Sequence, residues 1–183
     1  MDEVYPPRED TYLLLRAALK EAGADDVTLE IGCGSGLITQ EVAPRVKSIL
    51  ATDINPHAVR MVKAKGFEVV RADLFSGLRG KFDLILFNPP YLPTTDLERT
   101  EQWINFALDG GEDGRRTIRR FLKGLSGHLR PGGRALLLIS SLTGLREVRS
   151  MAEAEGLDVR DVARHRCFFE LLHVLRLEVA HSC

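Results

Sequence analysis

Apolar and polar positions along the chain change period repeatedly, and each change predicts a different element. Short apolar runs with polar ends are typical of buried strands, and five of them occur in the first three quarters of the chain. They cover residues 27–31, 48–52, 67–71, 82–87 and 134–139. Stretches in which apolar residues recur every three or four positions predict helices over 9–22, 37–43, 56–65, 112–129 and 142–155. Strands that alternate with helices in this way predict a doubly wound α/β sheet.

The last part of the chain departs from this alternation. Two apolar runs, 157–163 and 169–178, follow each other with no helix between them and predict a closing hairpin. We therefore expect a single-domain, Rossmann-like α/β fold whose seven-stranded sheet is mostly parallel and has a C-terminal antiparallel strand. No repeat or linker divides residues 1–183, so one domain is expected, with 1–25 as a leader and first helix and no separate recognition domain.

The predicted fourth strand ends on Asn88-Pro89-Pro90-Tyr91. Neither proline has an N–H to extend a sheet ladder, and the residue before each proline is kept out of helical geometry. The backbone here is therefore stiff and extended. The Asn88 side-chain oxygen and the Pro89 carbonyl would form a rigid pair of acceptors beside the Tyr91 ring. Such a pair suits a planar NH2 group, although an Asn-Pro-Pro sequence alone would also fit a loop that simply ends a strand.

A glycine-rich loop follows the predicted first strand, at Gly32-Cys33-Gly34-Ser35-Gly36. Ligands of such sheets bind at the carboxyl ends of the strands. A dinucleotide site would have Gly-x-Gly-x-x-Gly, but here the third glycine comes one position early. Glu30, just before the loop, would repel a pyrophosphate and attract an ammonium or a sulfonium group.

Two further acids end the second and third predicted strands. Asp53 is placed to accept both hydroxyls of a ribose. Asp73 is placed to accept from an adenine amine, while the Leu74 backbone N–H donates to a ring nitrogen. Any one of these acids could be a solvated strand-end residue. Three such acids at successive strand ends, together with the glycine loop, favour a cofactor site.

Composition limits the classes of function. A formal charge of −1 provides no global attraction to nucleic acid, and 44% hydrophobic residues suffice for one core. The three cysteines are far apart and form no CxxC pair, which excludes a disulfide framework or zinc knuckle and fits a reducing cytoplasm. The five histidines share no ligand spacing, so no metal site is predicted. No apolar run reaches the ~20 residues of a membrane span.

The motifs together resemble those of class I S-adenosylmethionine-dependent methyltransferases that methylate amino nitrogens. The leader Tyr5-Pro6-Pro7-Arg8-Glu9-Asp10-Thr11 narrows the resemblance to the HemK-like release-factor glutamine methyltransferases, in their short archaeal and eukaryotic form. The resemblance implies an acceptor glutamine in the Gly-Gly-Gln motif of a release factor, with Asn88, Pro89 and Tyr91 as catalytic residues. It implies that the cofactor contacts Thr11, Glu30, Gly32, Gly34, Gly36, Asp53, Asp73, Leu74 and Asn88.

Other acceptors and other classes fit parts of the pattern. Adenine in DNA, an exocyclic amine in RNA and a lysine amine are alternative acceptors. DNA methylation would need base flipping and a basic surface. Basic residues do cluster, at Arg115, Arg116, Arg119, Arg120 and Lys123 on one helix and at Arg160, Arg164 and Arg166 near the end. A solvated face is the favoured interpretation, and a modest docking patch for a release factor or ribosomal RNA is the alternative. A dinucleotide-dependent oxidoreductase and a catalytically silent binding subunit are the rival classes.

Two features concern partners and access to the site. If the usual strand order of this fold holds, strand 67–71 lies at a sheet edge, where it could pair with another chain. Relatives of the short form use a small zinc-binding activator protein there, and we expect the same here. Trp103 lies in a predicted irregular segment, 91–110, where it could be a lid over the acceptor or a core residue. The stretch 109–114 predicts a turn and a helix start.

Overall fold

The computed structural model describes residues 3–92, 103 and 109–180. Seven strands are found within these ranges: β1 Val27–Ile31, β2 Ser48–Asp53, β3 Val69–Arg71, β4 Phe82–Phe87, β5 Leu129–Ser140, β6 Leu157–Arg166 and β7 Leu171–Val179. The helices are α1 Glu9–Glu21, α2 Leu37–Val42, α3 Pro56–Ala64, α4 Arg116–His128 and α5 Leu145–Ala154. Among the described residues, no helix is both long and apolar enough to cross a membrane.

All seven strands belong to one sheet, in the order β3-β2-β1-β4-β5-β7-β6. The neighbours from β3 to β5 are parallel, and β7 runs antiparallel to both β5 and β6. The prediction of a mostly parallel sheet with a C-terminal antiparallel strand is confirmed. The third strand lies at an edge, as predicted. The chain order reverses between β1 and β4, which is where ligands bind in sheets of this kind.

The sheet is covered on both faces, and β4 shows this best. Its side chains alternate between two apolar clusters: Ile85 and Phe87 face helices α4 and α5, whereas Leu84 and Leu86 face helices α1 and α2. All four are at most 3% exposed. A strand buried on both faces must be apolar throughout, which explains the continuous apolar run in the sequence.

Several element boundaries differ from the sequence prediction. Strand β3 starts at Val69 instead of 67, since Phe67 packs beside Val62 of helix α3. Helix α4 starts at Arg116 instead of 112, because the preceding residues form a turn in which Gly114 has φ +68°. Strand β5 begins at Leu129, so the Pro-Gly-Gly sequence lies inside it at a register irregularity, not before it.

The remaining differences lie near the ends of elements. The predicted helix 142–155 is divided into a 3-10 turn, Ser141–Thr143, and helix α5. The closing hairpin is present, with strands that end at Arg166 and begin at Leu171. Most of the irregular segment predicted for 91–110 lies outside the described residues.

Candidate functional site

A cavity of about 340 Å³ opens at the carboxyl ends of the central strands. Its volume is within the range of small-molecule sites, which is roughly 300–1,000 Å³. Strand register creates the site, because Ile31, Thr52 and Phe87 lie level with one another and the residue after each comes to the cavity wall. Most of the predicted site residues line this cavity: Thr11, Glu30, Gly32, Gly34, Asp53, Asp73, Leu74, Asn88, Pro89 and Tyr91.

The glycine loop brings bare backbone to the cavity. Gly32 and Gly34 have φ of +68° and +50°, a region that glycine occupies at no steric cost. The Gly34 N–H donates to Asp53 Oδ2 at 2.9 Å, which holds the loop against the end of β2. Gly36 does not line the cavity. A Cβ there would come within 2.7 Å of Val62 Cγ2, so this glycine allows close packing of α2 on α3.

Two acids, the buried Glu30 and the partly buried Asp53, face the cavity at the ends of β1 and β2. Glu30 is 3% exposed and accepts a hydrogen bond from the Thr39 hydroxyl. Burial, with a smaller contribution from the charge of Asp53, raises the pKa of Glu30 to about 8. Burial also raises the pKa of Asp53, although the N–H groups of Asn55 and Gly34 oppose the shift. Burial disfavours the charged form of these acids, and a cationic ligand would stabilise that form whereas a pyrophosphate would oppose it.

Asp73 and Leu74 form the wall after β3. Asp73 Oδ2 pairs with Arg120 Nη2 of helix α4 at 2.8 Å, at a position where both side chains are about half exposed. Leu74 has φ +51° and is the one non-glycine residue in the left-handed region within the described part of the chain. Such a backbone costs of order 1–3 kcal/mol and tends to occur at functional positions. Arg120 was not predicted as a site residue, because its helix pattern indicated only a solvated face.

The side chain of Asn88 is held in one orientation by Asp10. Asn88 Nδ2 donates to Asp10 Oδ2 at 3.1 Å, and Asp10 Oδ1 accepts from the Thr11 N–H at 2.6 Å. A carboxylate oxygen only accepts, so the NH2 end of the Asn88 amide must face Asp10. The Asn88 Oδ1 atom is then left buried, and no group of the described residues donates to it. A buried acceptor without a donor costs about 1–3 kcal/mol and needs an explanation.

Asp10 is a second residue of the cavity wall that the sequence analysis missed. It is only 4% exposed, on the same face of helix α1 as Leu13, Leu14 and Ala17. These positions are related by steps of three and four, so Asp10 interrupts an apolar stripe. A charged residue within a buried stripe is the signal that could have identified it.

Two tyrosines lie on the same side of the cavity as Asp10. Burial and the neighbouring Asp10 raise the pKa of Tyr5 to about 12, and the same two causes raise the pKa of Tyr91. Both side chains therefore stay protonated near neutral pH and are poorly suited to act as bases. The backbone of Tyr91 packs against Gly114, where a Cβ would overlap the Tyr91 carbonyl oxygen. The turn predicted for 109–114 thus supports the segment after β4.

Trp103 also lines the cavity. The guanidinium carbon of Arg71, on edge strand β3, lies 5.7 Å from the centre of the Trp103 ring. This is a cation–π distance, so the ring is tied to the end of the sheet that carries β3. Its position on the cavity wall fits the lid interpretation better than the core interpretation.

Acids neutralise most of the basic cluster at the start of helix α4. The ion pairs are Arg115–Asp113, Arg119–Asp113, Arg116–Asp109 and Arg120–Asp73, at 2.7–3.2 Å. Asp113 pairs with both Arg115 and Arg119, so three carboxylates neutralise most of the charge of four arginines and little is left for a phosphate backbone. This surface therefore gives no support to a nucleic-acid docking patch. Among the described residues, no group of three potential metal ligands occurs.

The raised pKa of Glu30 makes stability depend on pH. Between the ordinary pKa of 4.5 and about 8, the folded protein keeps a proton that the unfolded chain has lost. Stability due to this group is therefore complete at acid pH and declines as the pH rises through that window. We expect the unfolding free energy of the wild type to fall relative to Glu30→Gln by roughly 1 kcal/mol per pH unit.

Urea unfolding of both proteins at pH 5, 6, 7 and 8 measures this difference. Glutamine preserves the acceptor for Thr39, so the fold should be retained. Glu41→Gln, at an exposed position on helix α2, is the matched control and should follow the wild type. Parallel curves for the wild type and Glu30→Gln would show that Glu30 has an ordinary pKa.

Comparison with known proteins identifies the family. The model of the methyltransferase small domain matches residues 9–168. A Methanocaldococcus jannaschii protein, provisionally named a protein N5-glutamine methyltransferase, is 42% identical over 94% of this chain and 90% of its own length. Mouse Methyltransferase HEMK2 is 32% identical over 95% of this chain and 89% of its own length. The release factor glutamine methyltransferase of Moorella thermoacetica is 35% identical, but the match covers 65% of that longer protein.

Solved structures agree with this assignment. The E. cuniculi Mtq2–Trm112 complex, responsible for methylation of the termination factor eRF1, contains a chain that superposes with a TM-score of 0.83. That match has 28% identity and covers 97% of this chain and 99% of the other. A ribosomal protein L11 methylase from Lactobacillus delbrueckii shares the fold, with a TM-score of 0.73 at 17% identity. The chain therefore belongs to the methyltransferase small domain family and, within it, to the HemK-like group that its motifs resemble.

Proposed function

We propose that this protein transfers a methyl group from S-adenosylmethionine to the side-chain amide nitrogen of a glutamine in a translation release factor. The observation that carries the proposal is the buried, unpartnered Asn88 Oδ1 beside the cavity. The names of the relatives support it, since they include glutamine methyltransferases and a complex that methylates a termination factor. With such a substrate, the enzyme would act in the cytoplasm, where translation ends.

The cavity fits this cofactor in size and in charge. S-adenosylmethionine supplies an electrophilic methyl group on a positively charged sulfur. Glu30 offers a buried carboxyl to the cationic end, and the loop from Gly32 to Gly34 offers bare backbone. Each Asp53 oxygen accepts one backbone N–H and retains a lone pair for a hydroxyl. Asp73 and Leu74 would contact the adenine, and Thr11 would contribute from helix α1.

The acceptor amide is a poor nucleophile, because its nitrogen lone pair is delocalised into the carbonyl. In this proposal Asn88 Oδ1 accepts one N–H of the amide and the Pro89 carbonyl accepts the other, while the Tyr91 ring packs against its flat face. Holding the nitrogen in line with the methyl group can supply roughly 7–11 kcal/mol of the barrier. When the methyl group passes from sulfur to this nitrogen, positive charge would grow on nitrogen, and the hydrogen bonds to Asn88 Oδ1 and the Pro89 carbonyl would strengthen. The nitrogen would lose its extra proton to solvent after the transfer, so no side chain need act as a general base.

We also propose that a small zinc-binding activator protein pairs with edge strand β3. Val70 in the middle of this strand is 46% exposed, although an edge valine would ordinarily be covered or replaced by a charge. The E. cuniculi relative is found in a complex with Trm112, which supports a partner for this chain. A partner would also help to recognise the substrate.

Transfer of tritiated methyl from S-adenosylmethionine to purified release factor tests the reaction. Label should appear in the wild-type factor and be absent from a factor whose acceptor glutamine is replaced by alanine. Duplex DNA, single-stranded DNA and a lysine-rich protein serve as alternative acceptors. Methylation of DNA alone would refute the proposed substrate.

Replacing Asn88, the side chain proposed to bind the glutamine amide, should stop turnover but leave S-adenosylmethionine binding intact. Asn88→Ala removes the buried oxygen, so kcat should fall by at least about 10²-fold, the usual effect of losing one such hydrogen bond at a reacting centre. Binding of S-adenosylmethionine, measured by calorimetry, should stay within a few fold. Turnover close to that of the wild type would contradict the role of Asn88.

A milder change at Asp10 tests whether the orientation of Asn88 matters. Asp10→Asn keeps the volume of the side chain but replaces a carboxylate, which only accepts, with an amide that can donate or accept. The side-chain amide of Asn88 could then flip between two orientations. We expect kcat to fall by about tenfold or more, with cofactor affinity unchanged within about twofold. A loss of cofactor affinity equal to the loss of kcat would instead assign Asp10 to cofactor binding.

Introducing a lysine at each edge strand in turn tests whether the activator binds to β3. Val70→Lys places a cation on edge strand β3 and should weaken binding of the activator by at least about tenfold. Val162→Lys makes the same change on β6, at the opposite edge, where valine is 39% exposed, and should have no effect. Binding is measured by calorimetry with the purified activator. Equal binding by both variants would remove β3 from the interface.

A further inference from the structure

The turn between β6 and β7 exposes two phenylalanines. Phe168 is 92% exposed and Phe169 is 86% exposed, whereas the other exposed large apolar side chains of the described residues range from 39% to 48%. The two rings meet edge to face, with centroids 4.6 Å apart. Two adjacent aromatic rings left almost wholly in water indicate a binding surface.

The backbone around this aromatic pair is firmly held. The Cys167 N–H donates to the Glu170 carbonyl at 2.9 Å, which closes the turn. The Ser140 hydroxyl donates to the Glu170 carboxylate, and the Leu171 N–H donates to Ser141 Oγ at 3.0 Å. The turn is therefore anchored to the carboxyl end of β5. An anchored turn presents its rings with little ordering cost when a partner binds.

The aromatic pair lies at the carboxyl ends of the parallel strands, on the same side of the sheet as the cavity and Asn88. Strand β6 runs parallel to β4 and β5, because β7 is antiparallel to both β5 and β6. Cys167 packs in the same apolar cluster as Tyr91. The charge of Glu170 is close enough to Tyr5 and Tyr91 to contribute to their raised pKa values. The turn thus borders the tyrosine side of the site.

We infer that Phe168 and Phe169 bind the polypeptide segment that flanks the acceptor glutamine, an inference that rests on the proposed function. A glutamine side chain is short, so the substrate backbone must cross the cavity mouth for its amide to reach Asn88 Oδ1. Three strand spacings of about 4.8 Å separate β4 from β6, roughly 14 Å in all. An extended chain covers that distance in about four residues. Residues a few positions from the glutamine would therefore contact the aromatic pair.

A polypeptide fits this surface better than a nucleic acid does. Burial raises the pKa of the Cys167 thiol, and the nearby charges of Glu170, Glu9 and Asp10 add to the shift. Exposed Arg164 and Arg166 precede the turn and balance these acids, so charge does not decide the ligand. Exposed aromatic rings beside a site proposed for a glutamine side chain are typical of a protein interface. Continuity with the cavity mouth also favours the substrate over a second copy of this chain.

The double variant Phe168→Ser/Phe169→Ser tests the inference in the release-factor assay. The KM for the release factor should rise by at least about tenfold, while kcat at saturation and the Kd for S-adenosylmethionine stay within about twofold. Phe168→Tyr/Phe169→Tyr keeps the aromatic area and should restore the KM. Val179→Ser, a 42% exposed valine at the far end of β7, is the matched control and should leave the KM unchanged.

An unchanged KM in the serine double variant would overturn the inference. So would a loss of cofactor affinity in parallel with KM, because that would indicate a structural role for the pair. A change in sedimentation behaviour without a change in KM would assign the pair to self-association. Competition by RNA at this surface would assign the pair to nucleic-acid binding. Either result would reject the inference.

Binding of release factor to the catalytically silent Asn88→Ala protein, measured by calorimetry, separates this inference from the proposed function. Binding that requires the aromatic pair supports the inference even if no glutamine is methylated. Binding that persists without the pair rejects the inference alone. Absence of any binding and any methylation by the parent protein rejects both.

Discussion

The hydrogen bond between Asn88 Nδ2 and Asp10 Oδ2 is the constraint on which the site depends. It joins the first turn of helix α1 to the end of strand β4, across 78 positions of the chain. Asp10 cannot move away, because the helix that carries it packs on the sheet through Leu13, Leu14, Ala17 and Ala18. The amide of Asn88 is therefore fixed in one orientation, and its oxygen faces away from the helix without a donor. The orientation of this acceptor is therefore set before a substrate N–H arrives, and because the atom is buried, neighbouring groups must shift to admit the donor.

Burial of acidic side chains around the cavity lowers the stability of the folded protein, in addition to the cost of the unpartnered Asn88 oxygen. Asp10, Glu30 and Asn55 are each less than 9% exposed, and the two acids among them lie at the cavity wall. The Thr39 hydroxyl donates to Glu30, and the Thr11 N–H and the Asn88 amide donate to Asp10, which offsets part of the cost of burial. A cationic ligand that binds beside these acids would offset the rest of this cost and so stabilise the folded protein. Stability and ligand binding are thus linked at the same side chains.

The two proposed docking surfaces lie at opposite ends of the sheet. Strand β3 is one edge, and the β6–β7 turn that carries Phe168 and Phe169 belongs to the other edge. The cavity opens between them at the carboxyl ends of the central strands. Occupation of one surface leaves the other accessible, so an activator and a substrate could be bound together. Arg71 and Trp103 connect the β3 edge to the cavity wall, which provides a physical contact between the activator surface and the site.

The sequence by itself determined the order of elements, the parallel sheet and the residues at the strand ends. These follow from local rules: apolar runs, glycines that tolerate positive φ, and prolines that cannot donate. It did not determine where β5 begins or how early helix α4 starts, because the conformation of glycine and proline turns there depends on tertiary packing. Nor did it reveal that Asp10 holds Asn88, that Asp73 pairs with Arg120, or that the rings of Phe168 and Phe169 stay in water. Each of these depends on contacts or exposure created when distant segments pack together, and only the folded chain decides which distant groups meet.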